Sequence, residues 1–146
     1  MDRLYFIVNP ISGSGRGRRD FARVEALLRA RGVAYEAAYT EHPRHAIALA
    51  QAALAAGERC IVAVGGDGTV NEVASVLVNT GVTMGVLPFG TGNDLARVAG
   101  FPGDPDSAVE VLLAGYTRPM DAGMANDRFF LNVSGFGFDV DSRRRL

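Results

Sequence analysis

The chain contains no lysine; all 15 of its basic residues are Arg. A Walker-type phosphate loop places a Lys directly after its glycines, and a protein-kinase site carries one on a strand, so neither arrangement exists here. A single cysteine, Cys60, excludes an internal disulfide framework, and its place in an apolar run marks it as a core residue. No apolar stretch reaches the roughly 18 residues of a membrane-spanning helix. Met1-Asp2-Arg3 leads into a strand pattern rather than a signal peptide. A net charge of −1 supplies no basic field, which argues against a nucleic-acid partner. These absences point to a cytoplasmic protein, and 146 residues make one domain large enough for a real core.

What is present is a regular alternation. Leu4–Val8 is an apolar run of strand length stopped by Asn9-Pro10. A glycine- and serine-rich loop follows, then a helix from about residue 18 to 30 with Phe21, Val24, Leu27 and Leu28 on one face. Residues 33–39 read as a second strand and 43–56 as a second helix. The run 60–64 is a third strand, 84–87 a fourth, and a short helix is expected over 95–99. Strands and helices alternating over short loops give the pattern of a mainly parallel sheet covered on both faces. The last third differs: a helix over 106–114 precedes a hairpin of 119–124 with 128–134 around Ala125-Asn126-Asp127. Phe136 and Phe138, expected to be exposed just before the chain stops, suggest that further protein normally follows.

The third strand carries the strongest local signal. Cys60-Ile61-Val62-Ala63-Val64 ends abruptly in Gly65-Gly66-Asp67-Gly68-Thr69, and the amphipathic stretch 70–77 begins at once. Strand, glycine turn and helix N-terminus in that order build a phosphate cradle. The spacing fails the dinucleotide fingerprint G-x-G-x-x-G. A nucleotide would therefore be held by backbone amides, hydroxyls and Arg. A Cβ at Gly66 or Gly68 is expected to intrude on a phosphate or to demand an unfavourable φ.

Ligands of parallel sheets bind at the carboxyl ends of the strands. Four polar or glycine-rich segments fall there: 9–13, Thr40-Glu41, 65–69 and 90–94. Each alone reads equally well as a turn that ends a strand; four on one edge is a far stronger signal. Asp67 reads either as a carboxylate that positions Mg²⁺ among phosphates or as a turn residue bonding its own backbone. Thr69, Asn71, Asn93 and Asp94 divide between helix capping and ligand contact. Arg16, Arg18 and Arg19 approach phosphates or simply solvate a helix start. His42 and His45 have no Cys partners or acidic motif nearby, which argues against a metal site.

Three blocks occur in order: Asn9-Pro10-Ile11-Ser12-Gly13, Gly65-Gly66-Asp67-Gly68-Thr69-Val70-Asn71-Glu72, and Pro88-Phe89-Gly90-Thr91-Gly92-Asn93-Asp94. With the later Asp121-Ala122-Gly123 and the run 129–139, they resemble the catalytic domain of the diacylglycerol kinase family, which includes bacterial lipid kinases and sphingosine and ceramide kinases. GGDGT alone is also found in NAD kinases and phosphofructokinases. The resemblance implies a three-layer α/β/α, phosphofructokinase-like (Rossmann-like) domain over residues 1–146, with ATP in a cleft against a β-rich second domain absent from this chain. It implies ATP contacts from Asn9, Pro10, Ile11, Ser12, Gly13, Thr40, Gly65, Gly66, Asp67, Gly68, Thr69, Val70, Asn71, Glu72 and Thr91. It implies ATP and Mg²⁺ as cofactors, and a lipid hydroxyl, most simply that of diacylglycerol, as acceptor. The general base and a structural Mg²⁺ site would lie in the second domain, so this chain alone would be inactive and carries no metal site of its own. The whole protein would reach its lipid peripherally at a membrane surface, with a homodimer left open. A NAD-kinase-like or other soluble small-molecule kinase domain and a non-catalytic nucleotide-binding module stand as alternatives.

Overall fold

The computed structural model describes residues 3–90 and 102–114 in full, and the backbone of strands within 118–125, 128–132 and 138–141. Along the chain run β1 (Leu4–Val8), α1 (Ser12–Ala30), β2 (Tyr35–Tyr39), α2 (His45–Ala55), β3 (Cys60–Gly65), α3 (Asp67–Leu77), β4 (Thr83–Pro88), α4 (Pro105–Ala114), β5 (Arg118–Ala125), β6 (Arg128–Asn132) and β7 (Phe138–Asp141). The sheet order is β2-β1-β3-β4-β7-β5-β6. The first four strands are parallel, in register Val8↔Tyr39, Val8↔Val64 and Gly65↔Pro88 at their carboxyl ends. Fold class and the hairpin β5–β6 match the sequence reading.

Alternation along each strand builds the two outer layers, because successive side chains point to opposite faces. Ile7, Ile61, Ala63, Met84 and Val86 face α2 and α3, where Ala46, Ala50, Val70, Val73 and Leu77 meet them. Phe6, Val8, Val62, Val64 and Leu87 face α1 and α4, against Phe21, Val24, Leu28, Val109 and Leu112. Both faces of the central strands are thus covered, which is why those strands read as nearly unbroken apolar runs.

Three departures from the sequence reading concern local structure. The helical segment of α1 opens at Ser12, yet Gly13, Ser14 and Gly15 have φ of 58°, 58° and 94°, so a left-handed turn precedes the regular helix. Two glycines adopt that turn freely, while Ser14 costs about 1–2 kcal/mol there. Helix α3 begins at Asp67, not Val70, so Asp67, Gly68 and Thr69 of the glycine string lie in the first helical turn. Strand β7, which no local pattern announced, pairs antiparallel to β4 and parallel to β5. The helix expected over 95–99, together with Thr91, Asn93 and Asp94, lies outside the described residues, as does Phe136.

Candidate functional site

Helix α1 leaves β1 toward one face of the sheet, and α3 leaves the adjacent β3 toward the other. Loops that depart to opposite faces from neighbouring parallel strands open a crevice between them. Asn9 sits at this point. Its N–H donates to the Val64 carbonyl at 2.9 Å, its side-chain amide donates to Thr69 Oγ1 at 3.4 Å, and its Oδ1 accepts the Ile11 N–H at 3.2 Å. One side chain therefore ties the loop after β1 to the first turn of α3. Thr40 joins the same edge through its N–H, which donates to the Val8 carbonyl at 2.8 Å.

The loop after β4 closes the third side. Ser12 Oγ donates to the Asn9 carbonyl at 2.9 Å and lies 3.2 Å from the Phe89 carbonyl. Phe89 is fully buried. Gly90 packs so tightly that a Cβ there would overlap the backbone of Gly66. At Gly65 a Cβ would fall 2.9 Å from Thr69 Oγ1 and 3.3 Å from the Asn9 Cβ. Both glycines exist because other parts of the protein come too close for a side chain.

At Gly66 and Gly68 the expectation of an unfavourable φ is overturned. Gly66, the N-cap of α3, has φ −93° and ψ −168°, a conformation any residue adopts. Gly68 lies in the first helical turn with φ in the ordinary range, and a Cβ there meets nothing within 4 Å. No contact within the described residues requires glycine at 68. A glycine in a helix is otherwise unfavourable by roughly 0.5–1 kcal/mol relative to alanine.

The remaining sequence-derived site residues separate by exposure. Ile11 is 76% exposed at the tip of the β1–α1 loop, while Pro10, Ser12, Gly13, Gly66, Asp67, Asn71 and Glu72 are partly exposed around the crevice. Thr69 and Val70 are buried, and the Val70 N–H is used within the helix by the Gly66 carbonyl at 3.1 Å. Val70 thus faces the core, where it packs with Ile7 and Leu77. Asp67 stands in the first turn of α3, where the helix dipole favours negative charge. Among the described residues no group of three His, Cys, Asp or Glu side chains could hold a metal ion. His42 and His45 stack with ring centroids 4.4 Å apart, and His45 Nδ1 accepts the Glu41 N–H at 2.9 Å.

A cavity of about 440 Å³ lies beside the crevice, over the ends of β1 and β2, lined by Val8, Pro10, Arg18, Phe21, Tyr39, Thr40 and Glu41. Burial raises the Tyr39 phenol above its ordinary pKa. One residue the sequence left ambiguous, Arg16, is only partly exposed and has several partners. Its Nε donates to Asp20 at 2.7 Å, its guanidinium carbon lies 5.6 Å from the centre of the Phe89 ring, and Nη2 donates to the Gly103 carbonyl. No sequence signal distinguished it from Arg18 and Arg19.

An open, mainly parallel α/β sheet with interlocked glycine loops at its switch point defines a broad class of proteins. The particular family follows from comparison: the sequence profile of the diacylglycerol kinase catalytic domain matches residues 3–125, and the chain belongs to that family. It is 35% identical to the diacylglycerol kinase of Bacillus subtilis, over 98% of this chain and 50% of that protein. It is 34% identical to the diacylglycerol kinase of Mycobacterium tuberculosis, over 91% of this chain and 45% of that one. A crystal structure of a diacylglycerol kinase from Bacillus anthracis superposes with a TM-score of 0.76 at 27% identity, over 88% of this chain and 45% of the other. The chain thus spans about half the length of these relatives.

Proposed function

We propose that this chain is the nucleotide-binding half of an ATP-dependent lipid kinase that transfers the γ-phosphoryl group to a lipid hydroxyl, that of diacylglycerol first among candidates. The observation that carries the proposal is Gly68 in the first turn of α3, where a Cβ would meet none of the described residues, at the sheet edge where the chain leaves β1, β2 and β4 through Asn9, Thr40 and Gly90. Family membership and the names of the relatives support the reaction class.

Phosphoryl transfer depends mostly on positioning and on charge stabilisation. The first-turn amides of α3, with no side chain at the Gly66 N-cap, would hold phosphate oxygens. Asn9 would fix the loop that carries Pro10, Ile11, Ser12 and Gly13 along the nucleotide, and Thr40, Asn71, Glu72 and Thr91 would complete the contacts. Asp67 would orient the phosphates through Mg²⁺, a role its single carboxylate fits, because Mg²⁺ is commonly held by one or two carboxylates plus phosphates. Bound there, Mg²⁺ would offset charge on the transferring phosphoryl group. The general base and the lipid-facing wall would come from a second, β-rich domain of the whole protein.

The deciding experiment is transfer of radiolabelled phosphate from ATP to diacylglycerol in mixed micelles. The whole protein should be active and this chain alone inactive. Full activity in this chain alone would refute the two-domain reading. A whole protein that leaves diacylglycerol untouched but phosphorylates a soluble acceptor would favour a small-molecule kinase instead.

A further inference from the structure

We infer that Arg16 is a positioning residue for the phosphate cradle, an inference that rests on the nucleotide-site reading above. Arg18 and Arg19 beside it are exposed, whereas the Arg16 side chain is only 31% exposed and has three partners at once. Asp20, itself 15% exposed, fixes its Nε from one turn further along α1. Its guanidinium then covers the buried Phe89 ring within cation–π range, and its Nη2 holds the Gly103 carbonyl. Phe89 and Gly103 lie at the two ends of the connection from β4 to α4, so a single side chain gathers both ends onto α1.

The consequence reaches the cradle by direct contact. Phe89 precedes Gly90, and Gly90 has no room to move toward Gly66. Behind Phe89, its carbonyl lies 3.2 Å from Ser12 Oγ and 2.9 Å from where a Gly13 Cβ would be. Asp20, Arg16, Phe89, Gly90 and Gly66 thus form a chain of successive contacts, along which a displacement is passed on. Docking of α1 onto α4 has two other ties. Arg23 grips Asp106 through two bonds of 2.9 and 3.0 Å, and Arg31 grips Glu110. Among the described residues, Arg16 is the one of these three arginines seen over Phe89, next to the cradle. Lys could reach one of its partners, but only the planar fork of Arg serves all three together.

The test uses the whole protein and four variants: Arg16→Met, Arg16→Lys, Asp20→Asn and, as control, Arg23→Met. Steady-state phosphorylation of diacylglycerol in mixed micelles gives kcat and the KM for ATP, and melting midpoints are recorded alongside. Misplacing a binding wall by a fraction of an ångström to an ångström costs about 10- to 100-fold in rate. Arg16→Met should lose that much kcat, with a smaller rise in KM. Arg16→Lys should recover part of it, Asp20→Asn should show a milder form, and Arg23→Met should keep wild-type kcat. Wild-type kcat in Arg16→Met would overturn the inference. So would equal losses in Arg16→Met and Arg23→Met that track melting midpoint, since both would then be ordinary staples. If the wild-type protein is inert toward lipid, the lipid-kinase reading fails by itself. Binding of a fluorescent ATP analogue then decides Arg16: weakened in Arg16→Met and unchanged in Arg23→Met supports it, and equal affinities refute it.

Discussion

Gly68→Ala should push stability and nucleotide binding in opposite directions. The added Cβ meets no atom of the described residues within 4 Å, and the residue already has helical backbone in the first turn of α3. Alanine removes unfolded-state freedom and suits a helix, which is worth roughly 0.4–1 kcal/mol in favour of folding. For a protein of this size that corresponds to a rise of about 1–4 °C in melting midpoint. A phosphate seated on the first-turn amides would meet the new methyl group at or inside van der Waals distance. Displacing it by even a fraction of an ångström weakens charge-assisted bonds from the amides, and a loss of about 1.4 kcal/mol is tenfold in affinity. The assay pairs thermal denaturation without ligand and titration with ATP and Mg²⁺, both on the whole protein. Higher stability together with unchanged affinity would refute the cradle, because the open space at Gly68 would then serve no ligand.

Gly90→Ala should behave in the contrary way, since its Cβ overlaps Gly66; we expect a loss of about 1–3 kcal/mol in unfolding free energy, read by urea denaturation, and wild-type stability would show that the two loops separate freely. Asp67→Asn keeps shape and removes charge from the first turn of α3, so lipid phosphorylation should fall roughly 100-fold while the melting midpoint changes little; undiminished turnover would reduce Asp67 to a turn residue. The carboxyls of Asp106, bonded by Arg23, and of Asp104, bonded by the Ser107 N–H, are held below the usual carboxylate range. Depressed native values give stability that is present above about pH 4 and is lost as pH falls through the native values. Melting midpoints between pH 5 and pH 2.5 should therefore decline less steeply in Asp106→Asn than in wild type, and superimposable profiles would contradict this.

The sequence by itself determined the alternation of strands and helices. Parallel strands covered on both faces must be apolar nearly throughout, so 4–8, 60–64 and 84–87 declared themselves from composition alone. It also determined that polar loops follow those strands, because a chain leaving a buried sheet needs turn residues there. Its glycines and its arginines, however, look alike in one dimension. Folding separated Gly65 and Gly90, which are small because Asn9, Thr69 and Gly66 crowd them, from Gly68, which none of the described residues crowds. Only the structure drew Arg16 to Asp20, Phe89 and Gly103 together while Arg18 and Arg19 stay exposed. Strand β7 likewise needed its neighbours: four residues carry too little pattern to announce a strand, and pairing with β4 and β5 makes it one. The physical reason is common to all three. Local sequence fixes backbone preference and burial period, whereas close approach between residues 66 and 90, or 16 and 89, exists only once β3 and β4 align Gly65 with Pro88 and α1 packs across them.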